Sequence, residues 1–184
     1  LTKKYELTSP DKEDERTRHF EVNNANTGPI LLTFRNNGRF QDQVRDITKL
    51  GPDITFKVDD GTKHSLWKIA SLTNIESLIQ YFESIPALYI ADGHHRAASA
   101  SRVQKIRQDN NLQHQGNESY NYFLSVIFPH DEMHIQGYNR LVKDLAGLSD
   151  DRFLELIKTN FIIKELTNIQ APNERHTFSC LLYT

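Results

Sequence analysis

The strongest constraint on the fold lies between residues 72 and 108, where the spacing of apolar residues changes character twice. Ile75, Leu78, Ile79, Phe82 and Ile85 recur at helical spacing, Thr73 and Glu76 stand as a capping box, and Pro86 closes the segment. "ALYIA" (87–91) then reads as a short strand. Asp92 and Gly93 separate it from an alanine-rich stretch that predicts a helix over residues 94–108. Capped helix, strand, glycine turn and helix in succession are the grammar of an α/β unit.

The flanking sequence extends that pattern. Ser9-Pro10-Asp11 predicts an N-cap with proline at the first helical position, opening a charged and exposed helix. "NNANTGP" is loop and "ILLTF" (30–34) a buried strand. Phe40, Val44 and Ile47 share one face of a short helix over 39–49. "ITFKV" (54–58) and "HSLWKI" (64–69) flank Asp59-Asp60-Gly61, a hairpin signal. Residues 109–119 lack apolar periodicity and read as a flexible loop, and "YNYFLSVIF" (120–128) as a long buried strand stopped by Pro129. "MHIQGYNRLVKDLAGLS" is expected to hold a strand end and a short helix. Ser149 caps a further helix with Phe153, Leu156 and Ile157 as its apolar stripe. "FIIKEL" (161–166) and "HTFSCLLYT" (176–184) read as strands. The fold class expected is α+β: a mixed β-sheet with flanking helices. It is organised as a charged N-terminal helix and loop (1–27) and a single α+β domain (28–184).

Composition narrows the function classes. A net charge of −2 argues against a generally basic nucleic-acid surface, so nucleic acid is not an expected partner of this segment. No apolar run approaches the roughly 18 residues a membrane span needs, and the charged opening lacks a secretory h-region. The single Cys180 rules out an internal disulfide framework and a cysteine-based zinc site. It is expected as a small apolar residue within "TFSCLLY", and a reducing cytoplasm fits.

The chemistry concentrates in "ADGHHRAASA". Gly93 takes backbone conformations that other residues resist and lets a ligand approach the main chain. His94, His95 and Arg96 then place positive charge in the first helical turn, where the macrodipole is already positive, at a cost of about 0.3–1 kcal/mol each when exposed. A local conflict of this kind marks a candidate functional site. A bound anion turns the repulsion into attraction, held by free N–H groups, the dipole and a forked arginine. A phosphate is the natural candidate. Successive helical residues point about 100° apart, so His94 and His95 do not both face one ligand, and one of them is expected to be structural. Asp92 is the candidate carboxylate for a nucleotide-borne Mg²⁺. Either histidine is a candidate general base, since imidazole titrates near neutral pH. Asn139 and Arg140, after Gly137 and Tyr138, form a second candidate phosphate contact at another expected strand-to-helix turn. Trp67 is expected in the core, with His64 on the sheet surface and His130 and His134 facing solvent.

Together, "GPILLTFRNNGRF", "DDGTKHSLWKI", "LYIADGHHRAASA", "YNYFLSVIF", "IQGYNRLVKDLAGLS" and "RHTFSCLLY", in this order, resemble the domain of unknown function 1015 family from about residue 28 onward. Where that family usually has an aromatic after the arginine, this chain has Ala97. The family's proteins are about twice this long, so the chain is expected to represent part of one. The Ala-Asp-Gly-His-His-Arg core also resembles a more distant signature shared by ParB partition proteins, sulfiredoxin and free serine kinases. In those proteins the turn and its arginine hold nucleotide phosphates. That resemblance implies phosphate contacts from Gly93, His94, His95 and Arg96, with Asp92 ordering the turn or a metal. The function expected is a nucleotide-phosphate-binding protein, a kinase-like phosphotransferase acting on a small hydroxyl-bearing molecule, with ATP, ADP or CTP and Mg²⁺ as cofactor. The alternatives are a non-catalytic ParB-like regulatory or DNA-associated module and a metal-dependent hydrolase using Asp92 and His94.

Overall fold

A computed structural model describes residues 1–137, 139–168 and 170–182, which form two compact units, 1–133 and 134–184. The first unit is α+β. Its elements run β1 (Thr2–Lys3), α1 (Pro10–Asn23), β2 (Ile30–Phe34), α2 (Arg39–Ile47), β3 (Ile54–Lys57), β4 (Lys63–Leu66), α3 (Leu72–Ser84), β5 (Leu88–Asp92), α4 (His94–Asp109) and β6 (Ser125–Pro129). The main sheet has the order β1-β5-β2-β6 and is mixed: β1 pairs with β5 and β6 with β2 in parallel, while β2 and β5 are antiparallel. The strands β3 and β4 form a separate antiparallel hairpin around the Asp-Gly turn.

The core follows from the period of two in β2. Ile30, Leu32 and Phe34 are buried and on one face, because alternate strand residues share a side. Ile30 and Leu32 pack with Ile90 and with Ala97 of α4. Phe34, fully buried, meets Phe40 of α2 and Tyr81 and Phe82 of α3 in edge-on ring contacts with centroids 5.3, 6.1 and 5.6 Å apart. The charged helix α1 is mostly exposed as expected. It packs against α4 through buried Thr17 and Phe20, and its backbone carbonyl at Glu13 accepts the buried Ser99 hydroxyl. Trp67 is half-buried, donating from Nε1 to the Leu50 carbonyl at 2.8 Å, and His64 lies exposed on the hairpin, stacked on Phe56.

Several local expectations are corrected. The cap of α3 is Ser71, whose hydroxyl accepts the Asn74 N–H, and not Thr73. Ser71 has the extended backbone a cap needs, and the helix is already under way at Thr73. The strand expected over 120–128 is shortened to β6, with a 3-10 turn at Ser119–Asn121 before it. Its neighbour β2 begins at Ile30, opposite Ser125, so residues 120–124 have little ladder to join. The 109–119 loop is organised around the Glu118 carboxylate. That group accepts from the Gln115 and Gly116 N–H groups at 2.6 and 2.9 Å and from Asn121 Nδ2 at 2.9 Å, and His114 Nδ1 lies 3.0 Å away. The Gln115 N–H above all, with the Gly116 N–H and the nearby His114, holds its carboxyl below the usual carboxylate range.

In the second unit α5 (Asp150–Lys158) is capped by Ser149, whose hydroxyl accepts the Arg152 N–H, as the sequence predicts. The strand end and helix expected over 133–148 do not form among the described residues. Nor are 161–166 and 176–182 strands. They meet through the Phe161 and Phe178 rings, perpendicular at 5.8 Å, without a hydrogen-bonded ladder. Cys180 is consequently exposed rather than packed. Ile169, Tyr183 and Thr184, the last two at the end of an expected strand, lie outside the described residues, as does Tyr138.

Candidate functional site

The strand β5 delivers Asp92 to its carboxyl end, and Gly93 turns the chain into α4 with φ 91° and ψ 30°. This left-handed conformation is open to glycine and strained for most residues. No side chain caps the helix among the described residues; the Gly93 carbonyl accepts the Ala97 N–H at 2.9 Å, so the N–H groups of His94, His95 and Arg96 precede the first intrahelical bond. The Arg96 side chain folds back over the turn. A β-carbon at position 93 would stand 2.9 Å from its Nη2, so the missing side chain of Gly93 is what lets the guanidinium lie there.

The side chains of the turn meet the chain's own partners. Arg96 Nη2 donates to Asp92 Oδ2 at 2.6 Å, with the Asp92 side chain 70% exposed. His94 is 4% exposed; its Nδ1 lies 3.2 Å from the Glu6 carboxylate and its ring 4.5 Å from that of Tyr5, edge to face. Tyr5 in turn donates its hydroxyl to the Ala91 carbonyl at 3.2 Å. His95 Nε2 accepts the Ser9 N–H at 3.2 Å. His94 is thus the interior imidazole and His95 the half-exposed one, the division that the 100° helical step requires. Two nitrogens of this cluster, His94 Nε2 and Arg96 Nε, are buried with no hydrogen-bond partner among the described residues.

The turn therefore brings Asp92, Gly93, His94, His95 and Arg96 together as expected. Sequence reasoning missed Tyr5, Glu6 and Ser9, which close over the imidazoles from a segment with no apolar pattern to mark it. The second expected cluster does not assemble as a strand-to-helix turn: Asn139 and Arg140 are exposed, on backbone that is neither strand nor helix, within the second unit. Among the described residues there is no hydrogen-bonded strand before them and no helix directly after them, so no helix terminus aims free N–H groups at a ligand there. His130 is exposed as expected, and its Nδ1 accepts the Asn36 N–H at 3.1 Å. Among the described residues no three histidine, cysteine, aspartate or glutamate side chains converge in a way that could hold a metal ion by themselves. No described helix is long and apolar enough to cross a membrane.

These features define an α+β protein with an ionic cluster at a glycine strand-to-helix turn on a mixed sheet. The chain belongs to the DUF1015 family, described as a protein of unknown function, whose model matches residues 2–184. No curated protein and no solved structure matches it.

Proposed function

We propose that the turn at residues 92–96 binds nucleotide phosphates and that the protein is a kinase-like phosphotransferase acting on a small hydroxyl-bearing molecule. The observation carrying this reading is the buried, unpartnered Arg96 Nε at an uncapped helix start. An unsatisfied buried polar group costs about 1–3 kcal/mol, and a phosphate supplies acceptor oxygens to a guanidinium and to free N–H groups. The resemblance of Ala-Asp-Gly-His-His-Arg to the phosphate-holding turn of ParB proteins, sulfiredoxin and free serine kinases supports the same assignment.

The roles divide by geometry. The N–H groups of the first turn of α4 and the Arg96 guanidinium receive the phosphates of ATP, ADP or CTP, the guanidinium exchanging its Asp92 contact for phosphate oxygens. Asp92, largely exposed, contributes a carboxylate oxygen to a nucleotide-borne Mg²⁺, which supplies charge neutralisation shared with the phosphates. Of the two imidazoles, His94 keeps a nitrogen without a partner while Glu6 engages Nδ1, an arrangement suited to taking a proton from an acceptor hydroxyl. His95 holds the Ser9 backbone beside the turn.

Thermal unfolding with nucleotide and Mg²⁺ tests the proposal. At a hundredfold excess over Kd, binding stabilises by about 2.7 kcal/mol, a rise in Tm of about 5–10 °C for a chain of this size. The rise is expected with the wild type and absent in Arg96→Ala, each compared with its own ligand-free Tm. No shift with ATP, ADP or CTP overturns the reading.

A further inference from the structure

A concavity of about 160 Å³ lies between the end of α1, the middle of α4 and the 3-10 turn at 119–121. We propose that it receives the planar base of the nucleotide whose phosphates occupy the 92–96 turn; this rests on the reading above and assigns that ligand's second subsite. Three observations carry it.

The first is size and lining. A cavity of about 150 Å³ accommodates one benzene-sized ring. Buried Phe20 and Val103 supply apolar surface, and Tyr120 and Tyr122 bring aromatic rings to the same space. Asn24, Asn26 and Arg107 add amide and guanidinium groups, which match the hydrogen-bonding edges of a base as the aromatic rings match its faces.

The second is that the lining is held in place. The Tyr120 hydroxyl accepts from Asn111 Nδ2 at 2.9 Å and lies 2.9 Å from His114 Nδ1, both tied into the Glu118 network. Gln104 of α4 donates to Asn121 at 3.2 Å, and Arg107 donates to Asn24 Oδ1 at 2.7 Å. A preformed pocket binds without first ordering its walls.

The third is continuity with the turn. Arg96, Ala100, Val103 and Arg107 follow one another at i, i+4, i+7 and i+11, a single face of α4. Ala100 and Val103 lie about 6 and 10 Å along the axis from Arg96, a gap a ribose bridges. The loop after α1 joins the two places from the other side: Asn24 and Asn26 line the cavity, and Gly28 lies against the Arg96 side chain, 3.7 Å from Cδ to a β-carbon built there.

Calorimetric titration of the full 184-residue chain with Mg-ATP, Mg-CTP and Mg-tripolyphosphate tests the assignment. At least one nucleotide is expected to bind about tenfold tighter than tripolyphosphate, the difference being the base contacts. Ala100→Leu, which fills the cavity, and Tyr122→Ala, which removes an exposed ring, are each expected to weaken nucleotide binding about tenfold and leave tripolyphosphate binding unchanged. Since Tyr122 is 64% exposed, its variant keeps the test valid if Ala100→Leu does not fold. Equal binding of nucleotide and tripolyphosphate, or nucleotide affinity untouched by both variants, overturns the cavity assignment and leaves the phosphate turn standing. Absence of binding by all three probes overturns both.

Discussion

At the scale of the residue, Gly93 decides the site. Its backbone has φ 91°, and the space a side chain would fill holds the Arg96 guanidinium. A substitution there faces strain and contact together. Gly93→Ala is expected to destabilise by about 1–3 kcal/mol, read as a fall in Tm of about 3–10 °C. The far end of Arg96 is flexible enough to move aside, so Gly93→Ala/Arg96→Ala is expected to recover the contact part and not the backbone part. Full recovery in the double variant would show that backbone conformation contributes nothing. The conflict of positive charge with the α4 macrodipole was legible in the sequence. The Glu6 carboxylate beside His94 was not, because the two lie far apart in the chain, as Ser9 and His95 do at 86 residues, and no local pattern marks such a pair.

At the scale of the element, α4 and the loop after it show what periodicity detects and what it misses. Apolar stripes mark the helices, short apolar runs the strands and Asp-Gly the hairpin turn, and β2, α2, β3, β4, α3 and β5 lie within a few residues of their expected bounds. The 109–119 loop has no period, yet it is ordered by one carboxylate serving several donors. That order carries a pH signature. The Glu118 carboxyl is held below its ordinary range, so its contribution is present above the unfolded value and lost as pH falls through the folded one. Glu118→Gln is therefore expected to lower Tm at neutral pH and to match the wild type in strong acid. A Tm difference that persists unchanged in acid would contradict the role of the charge. The strands misread at 161–166 and 176–182 have the composition of strands. They remain unpaired among the described residues because a strand exists only where a neighbour accepts its hydrogen bonds.

At the scale of the whole molecule, the first unit is held by one sheet face on which three helices converge. Phe34 joins β2 to α2 and α3 and is fully buried. Phe34→Ala is expected to cost about 3–5 kcal/mol, a large share of the about 5–15 kcal/mol that holds a domain together. Urea unfolding checks this: a lower midpoint with an unchanged slope reports lost packing, whereas an unaltered midpoint would move the centre of the core elsewhere. The packing of α1 on α4 belongs to this scale too. It places the end of α1 beside Val103 and Arg107 and so creates the small cavity, a feature the charged, weakly patterned sequence of α1 does not announce.

The sequence by itself determined the fold class, most elements of the first unit and the Asp92–Arg96 turn, since these rest on residue preferences that act within a few positions of chain. Tertiary structure alone decided which carboxylates face the turn's cations, which imidazole is interior, and which strand-like segments find a partner. Those outcomes depend on groups brought close across long stretches of chain, where burial and hydrogen-bond geometry, rather than local preference, set the free energy.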